Sequence, residues 1–121
     1  NSELVTLTAG HEPILMFRTD GTLERLDAGG LLLGMLPGAD YTSSRVKFNP
    51  GDMICIYTDG ITDRTNCDDD RFGEERLLDL IHTCDRDDAT KTTQKIFREL
   101  EMYAGDRLPP DDQTMIIALR L

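Results

Sequence analysis

An α+β fold, with helices flanking one face of a mainly antiparallel sheet, follows from three features of this 121-residue sequence. Extended apolar or alternating runs outnumber helical patterns. The order is a β-meander, two further strands, two helices and a last strand, the sequence of an α+β rather than a βαβ chain. The two most apolar runs, Met53–Tyr57 and Met115–Leu119, sit on either side of both helical patterns.

Glu3–Leu7 and Pro13–Arg18 read as strands, and Asp20-Gly21 between Pro13–Arg18 and Thr22–Leu26 gives the two-residue hairpin signal that completes the meander. Gly29-Gly30 and Gly34 punctuate Leu31-Leu32-Leu33, which is too short for a stable helix and reads as a buried connection. Tyr41–Phe48 alternates as a half-exposed strand, and Asn49-Pro50-Gly51-Asp52 turns the chain into the apolar strand Met53–Tyr57. Polar, turn-rich residues fill 63–70. Gly73–His82 then places Leu77, Leu78 and Ile81 at helical spacing. Asp88 opens a longer helix in which Ile96, Phe97, Leu100 and Tyr103 share a face, and Gly105 closes it. Pro109-Pro110 forbids more helix, and Gln113–Leu121 is the final strand, apolar on both faces in its middle as a covered strand would be.

This length suits one domain burying about two-thirds of its unfolded surface. Lys+Arg total 13 against Asp+Glu 23, a net charge of −10 that repels phosphate backbones and speaks against nucleic acid as a partner. Apolar runs stop at about five residues, far short of the roughly 18 a membrane span needs, so the chain reads as soluble and cytoplasmic, with no membrane partner. Cys55, Cys67 and Cys84 are odd in number and widely spaced, which suggests reduced thiols rather than a disulfide frame or a zinc knuckle. The chain opens on Asn1 rather than Met and alternates almost at once from Leu4, the pattern of a piece of a longer protein.

Thr58-Asp59-Gly60 follows the run Met53–Tyr57, and Asp111-Asp112 precedes Met115–Leu119. Carboxylates therefore stand at the ends of two strands. Buried there unpaired, each would cost several kcal/mol, as for isolated ions generally, or take up a proton. Hard divalent cations such as Mg²⁺ or Mn²⁺ remove that penalty, because they seek oxygen ligands on a rigid frame. Solvated turn aspartates are the plainer alternative, Asp-Gly being an ordinary turn pair.

Other chemistries lack their residues. A cysteine-dependent phosphatase loop needs Arg six positions after its nucleophile, and those positions hold Ile61, Gly73 and Thr90. Neither GxSxG nor GxxxxGK[ST] occurs. The acidic stretch from Asn66 has Arg71 where an EF-hand turn glycine belongs and Leu77 where the closing Glu belongs. His82 and Cys84 are two apart on a helix end and do not face each other. His11, in Ala9-Gly10-His11-Glu12-Pro13, suits either a phosphate or carboxylate contact or a bond to local backbone.

Six elements in order carry a resemblance. They are Ala9-Gly10-His11-Glu12-Pro13, Leu33-Gly34 with Tyr41, Pro50-Gly51-Asp52, Tyr57-Thr58-Asp59-Gly60-Ile61-Thr62-Asp63, Phe72-Gly73, and Asp111-Asp112-Gln113-Thr114. Together they resemble the carboxy-terminal half of PPM (type 2C-like) metal-dependent serine/threonine phosphatases, in the bacterial SpoIIE/RsbU-type branch. The resemblance implies part of a PPM-type β-sandwich with flanking helices. It implies Asp59 and Asp111 as catalytic metal ligands beside the Gly60 backbone, with Asp112 a neighbour that orients the site; His11 stays a supporting candidate from its own loop setting. The resemblance also implies two Mn²⁺ or Mg²⁺ ions that ready a water for in-line displacement at phosphorus without a protein nucleophile.

The family's substrates are phosphoserine or phosphothreonine proteins, in this branch often an anti-anti-sigma factor, and its phosphatase module commonly follows an upstream sensor or receiver domain. The first metal aspartate of the family and its Gly-Asp-x-x-Gly-His-Gly motif do not occur in this sequence. Residues 1–121 thus read as a single partial domain, holding metal weakly and inactive alone, with exposed apolar surface that favours a homodimer. A non-catalytic pseudophosphatase or acidic interaction module is the alternative.

Overall fold

The computed structural model describes residues 2–121. Two compact units divide the chain: one holds the residues up to Ile56 together with Ala118–Leu121, the other Tyr57–Ile117.

The first unit is built on β-structure. Strand β3 (Ile14–Phe17) pairs antiparallel with β4 (Leu23–Leu26), Ile14 opposite Leu26 and Phe17 opposite Leu23. The expected hairpin turn joins them, with Gly21 at φ 87°, a conformation that side chains resist, and the Asp20 carboxylate accepting from Thr22 N–H at 2.9 Å. On its other edge β3 pairs with β7 (Met53–Tyr57), Leu15 opposite Cys55. With β8 (Met115–Leu119) the sheet order is β4-β3-β7-β8, mainly antiparallel as expected. Leu15, Met16, Phe17, Leu26, Met53 and Cys55 are buried. Side chains of this size each contribute about 1.5–3 kcal/mol on full burial. The Cys55 thiol is pushed up to about 12 by that burial.

The opening is not a meander. Strand β1 (Glu3–Thr6) pairs antiparallel with β6 (Ser44–Lys47), far along the chain, and β2 (Thr8–Ala9) pairs parallel with β5 (Gly29–Gly30). Gly29 is required at that parallel contact, because a Cβ there would lie 1.8 Å from the Thr8 carbonyl oxygen. Leu31-Leu32-Leu33 is not buried either: these side chains are exposed, Leu33 at 76%, and so are Met35 and Leu36. The short bends at Gly34 and Gly38, both at positive φ, form no strand or helix that could carry the leucines into a core.

The Asn49–Asp52 turn is locked by a buried carboxylate. Asp52 accepts from Asn49 N–H at 2.8 Å, Thr19 N–H at 3.3 Å and Arg18 Nη1 at 2.7 Å. Arg18 also pairs with Glu24 at 2.6 Å and donates to the Lys47 carbonyl at 2.6 Å. Burial pushes the Asp52 carboxyl up, but the Asn49, Arg18 and Thr19 donors outweigh it and hold the group below its ordinary value.

In the second unit α1 (Asp59–Thr62), α2 (Gly73–His82) and α3 (Ala89–Ala104) surround a core of Ile61, Phe72, Leu77, Ile81, Ile96 and Leu100. The single-turn α1 lies where the sequence showed only the end of a strand. Helix α3 begins and ends where the sequence indicates: Asp88 caps it, accepting from Thr90 N–H at 2.9 Å and Lys91 N–H at 3.1 Å, and Gly105 closes it at φ 59°. Its buried stripe is Thr92, Ile96, Leu100 and Ala104, with Phe97 and Tyr103 half-buried beside it. No helix among the described residues is long and apolar enough to cross a membrane.

Candidate functional site

Strand β7 delivers Thr58 in extended conformation (φ −96°, ψ 157°) to the N-cap position of α1. A threonine there ordinarily caps the helix with its hydroxyl. In this chain the hydroxyl makes no cap bond. It donates instead to the Asp112 carbonyl at 3.3 Å and accepts from Thr114 N–H at 3.0 Å, while Thr58 N–H donates to the Thr114 carbonyl at 3.1 Å. Gln113 Nε2 adds a bond to the Gly60 carbonyl at 3.1 Å. Four hydrogen bonds thus fasten residues 112–114 to residues 58–60, each worth about 1 kcal/mol net.

Gly60 lets the two segments close. A Cβ on Gly60 would lie 2.1 Å from the Asp112 carbonyl oxygen and 3.3 Å from that of Asp111. Glycine is therefore a steric requirement of the approach and not merely a turn signal. Asp111 is held by its own neighbour, its Oδ1 accepting from Asp112 N–H at 2.7 Å.

The sequence places Asp59, Gly60, Asp111 and Asp112 on separate elements, and the structure brings the backbones that carry them together. The expectation of carboxylates buried at strand ends is corrected: Asp59, Asp111 and Asp112 are all exposed, and Asp59 begins α1. Water reaches these side chains, so no burial penalty draws a cation in. Gly60 is buried, with its carbonyl already engaged by Gln113 and one lone pair left. His11 belongs to the other unit. It is exposed, and its Nδ1 lies 3.0 Å from the Glu12 carbonyl, to which it donates when protonated there.

Exposed carboxylates on a fastened backbone have the donor chemistry that hard divalent cations take, and the Gly60 cradle holds their segments at close range. The set is partial. Among the described residues no group of three or more His, Cys, Asp or Glu side chains is placed to hold a metal ion, whereas Mg²⁺ wants about six oxygens.

Thr58 and Gln113 stand in the sequence motifs beside the aspartates, but the motifs give neither a role; their bonds across the two segments depend on the tertiary approach, which no local pattern carries. Arg64, just after α1, was missed. Only 2% of it is exposed, its Nη2 reaches Glu101 at 3.3 Å, and its Nε and Nη1 have no partner among the described residues.

Comparison with known proteins covers nearly the whole chain. The family model described as Stage II sporulation protein E (SpoIIE) matches residues 1–120. Protein IcfG of Synechocystis sp. is 33% identical over 120 residues, covering 99% of this chain and 19% of that protein. Phosphoserine phosphatase RsbU of Bacillus subtilis is 39% identical over 118 residues, covering 93% of this chain and 33% of that protein. The chain thus spans a third or less of the curated relatives it matches. The solved SiaA-PP2C domain of Pseudomonas aeruginosa superposes with a TM-score of 0.80 at 22% identity, covering 98% of this chain and 46% of that one, a likeness of fold.

Proposed function

This chain belongs to the SpoIIE family and is 39% identical to the phosphoserine phosphatase RsbU, and we propose that it forms part of a PPM-type domain that hydrolyses phosphoserine or phosphothreonine on a regulatory protein of the anti-anti-sigma type. In this reading Asp59 and Asp111 hold Mn²⁺ or Mg²⁺ in the complete domain, and the chain alone is inactive. The observation that carries it is the close packing of Gly60 against the Asp111–Asp112 backbone, which brings the two carboxylate-bearing segments together.

Hard divalent ions, when bound, acidify a water and neutralise charge developing on phosphoryl oxygens. The chain's own residues supply the frame. Asp59 and Asp111 offer anionic oxygens on short backbone segments, Thr58 and Gln113 prevent those segments from drifting, and Asp112 N–H restrains the Asp111 carboxylate through Oδ1. Two carboxylates are too few to complete a two-ion centre, which is why the remaining ligands must come from elsewhere in the domain.

The test is turnover of a phosphorylated anti-anti-sigma protein with Mn²⁺, measured on the longer protein that carries this chain and on these 121 residues separately. Turnover is expected from the former only. Activity from the 121 residues alone would refute the shared site, and no activity from either would place the chain with non-catalytic interaction modules. In the longer protein Asp59→Asn should lower kcat at least about 100-fold, as loss of a charge-stabilising group commonly does. An undiminished rate would remove Asp59 from the ligand set.

A further inference from the structure

Away from the aspartates, the outer side of α2 and α3 carries an unusual surface. A depression of about 490 Å³ has Phe72, Leu80, Met102 and Tyr103 among its lining residues. A second, of about 520 Å³, also includes Met102 and Tyr103 and runs to Cys67, Asp106 and Arg107. Met102 stands where the two meet, and it is 70% exposed. Aromatic rings line it too: Phe72 and Tyr103 pack edge to face at 5.3 Å, and the Tyr103 hydroxyl shares its proton between the Asp70 and Arg71 carbonyls at 3.1 and 3.2 Å. A flexible, polarizable thioether beside packed aromatic rings suits the reception of apolar side chains of varied shape.

The charges along the groove are unequal in availability. Both arginines are already engaged. Arg76 lies 4.9 Å from the Tyr103 ring centroid and donates to the Arg71 and Phe72 carbonyls at 2.9 and 3.0 Å. Arg107 pairs with Asp69 at 2.7 Å and donates to the Cys67 carbonyl. The carboxylates of Asp79, Glu99 and Asp106 make no hydrogen bond or ion pair among the described residues. The surplus charge at the rim is therefore negative. The walls are side chains of α2 and α3 and the loops beside them, with no strand edge, so an incoming segment must satisfy its own backbone hydrogen bonds. A helix does this, and its residues at i, i+3, i+4 and i+7 give the apolar stripe such a groove takes.

We propose that the α2–α3 groove around Met102 is a docking site for a basic amphipathic helix of a partner protein. Its apolar stripe lies on Met102, Leu80 and Tyr103, and its lysines or arginines face Asp79, Glu99 and Asp106. This surface shares no residue with the aspartate site, and the proposal stands whether or not the phosphatase reading does.

The probe is a fluorescent helical peptide with leucines at i, i+3, i+4 and i+7 and lysines flanking them, titrated with the full chain and followed by anisotropy. A second peptide carries glutamates in place of the lysines. Saturable binding of the lysine peptide alone is expected. Met102→Glu, at an exposed position that folding tolerates, should weaken it at least about tenfold, as for a central anchor. The pair Asp79→Lys with Glu99→Lys should abolish binding of the lysine peptide and confer binding of the glutamate peptide, with circular dichroism confirming the fold. The proposal is overturned if the lysine peptide does not bind, if binding survives Met102→Glu, or if preference does not invert with charge. It is also overturned if the chain self-associates and Met102→Glu abolishes that association, which would assign the groove to a second copy.

Discussion

Gly60 shows how much one missing side chain can organise. Its hydrogen occupies the only space left between α1 and the Asp112 carbonyl, so Gly60→Ala forces a backbone to move rather than a flexible side chain. In the chain itself the variant should lose about 1–3 kcal/mol of stability, the usual cost of overpacking, measured by urea unfolding. In the longer protein kcat should fall about 100-fold, since displacement by about 1 Å can cost that much. Unchanged stability of the Gly60→Ala variant would show that the 111–112 segment is not held where the structure puts it. Sequence reasoning found Gly60 and both aspartate segments but misjudged their setting. A charged residue after an apolar strand looks buried in one dimension, while actual exposure depends on what the following residues do, and here they turn at once into α1. Arg64 is the converse case, a cation in a polar stretch that local pattern would leave in solvent and that packing instead encloses.

The elements most legible in the sequence are those specified by their own residues. Strand β7 runs over the predicted Met53–Tyr57, α2 over Gly73–His82, and α3 between the predicted cap Asp88 and the closing Gly105. Apolar period and capping chemistry act within a few residues, so they can be read locally. Partner choice cannot: β1 finds β6 across about 40 residues, and nothing in Glu3–Leu7 distinguishes that partner from the neighbouring hairpin.

The turn into β7 yields a prediction about acid. Asp52 bonds the turn to β3 through Thr19 and Arg18, and its carboxyl lies below its ordinary value in the folded chain. The unfolded chain thus binds the proton more readily, so the stabilisation is complete above about pH 4, the ordinary aspartate range, and is lost as pH falls through the lowered folded value. At neutral pH Asp52→Asn should cost about 1.5–3 kcal/mol, because it removes the buried negative charge to which Asn49, Thr19 and Arg18 donate, while Arg18 keeps Glu24. The gap between the two proteins should narrow as pH falls below about 4. A gap that is constant with pH would mean that the carboxylate's charge contributes nothing.

Taken whole, the chain is acidic yet carries apolar surface: Leu31, Leu32, Leu33, Met35 and Leu36 are exposed within a few residues of one another, and Ile116 is exposed on β8. Exposed apolar side chains in such number favour association. Sedimentation should show concentration-dependent self-association of the isolated chain, reduced by Leu33→Ser and unaffected by Met102→Glu; a monomer at all concentrations would oppose it. The sequence suggested incomplete cover through its missing motifs, but it assigned the triple leucine to the interior, because composition says that a run is apolar and not which side of the chain has room for it.

The three thiols differ in a way that makes the molecule its own reporter. Cys67 lies open to solvent, whereas Cys55 sits in the central strand with a titration point raised to about 12, and Cys84 is likewise raised, by burial first. Nucleophilic attack needs thiolate and access together. An alkylating reagent therefore marks Cys67 at once and reaches Cys55 only when β7 parts from its neighbours, so the lag between the two modifications clocks how often the centre of the sheet comes apart.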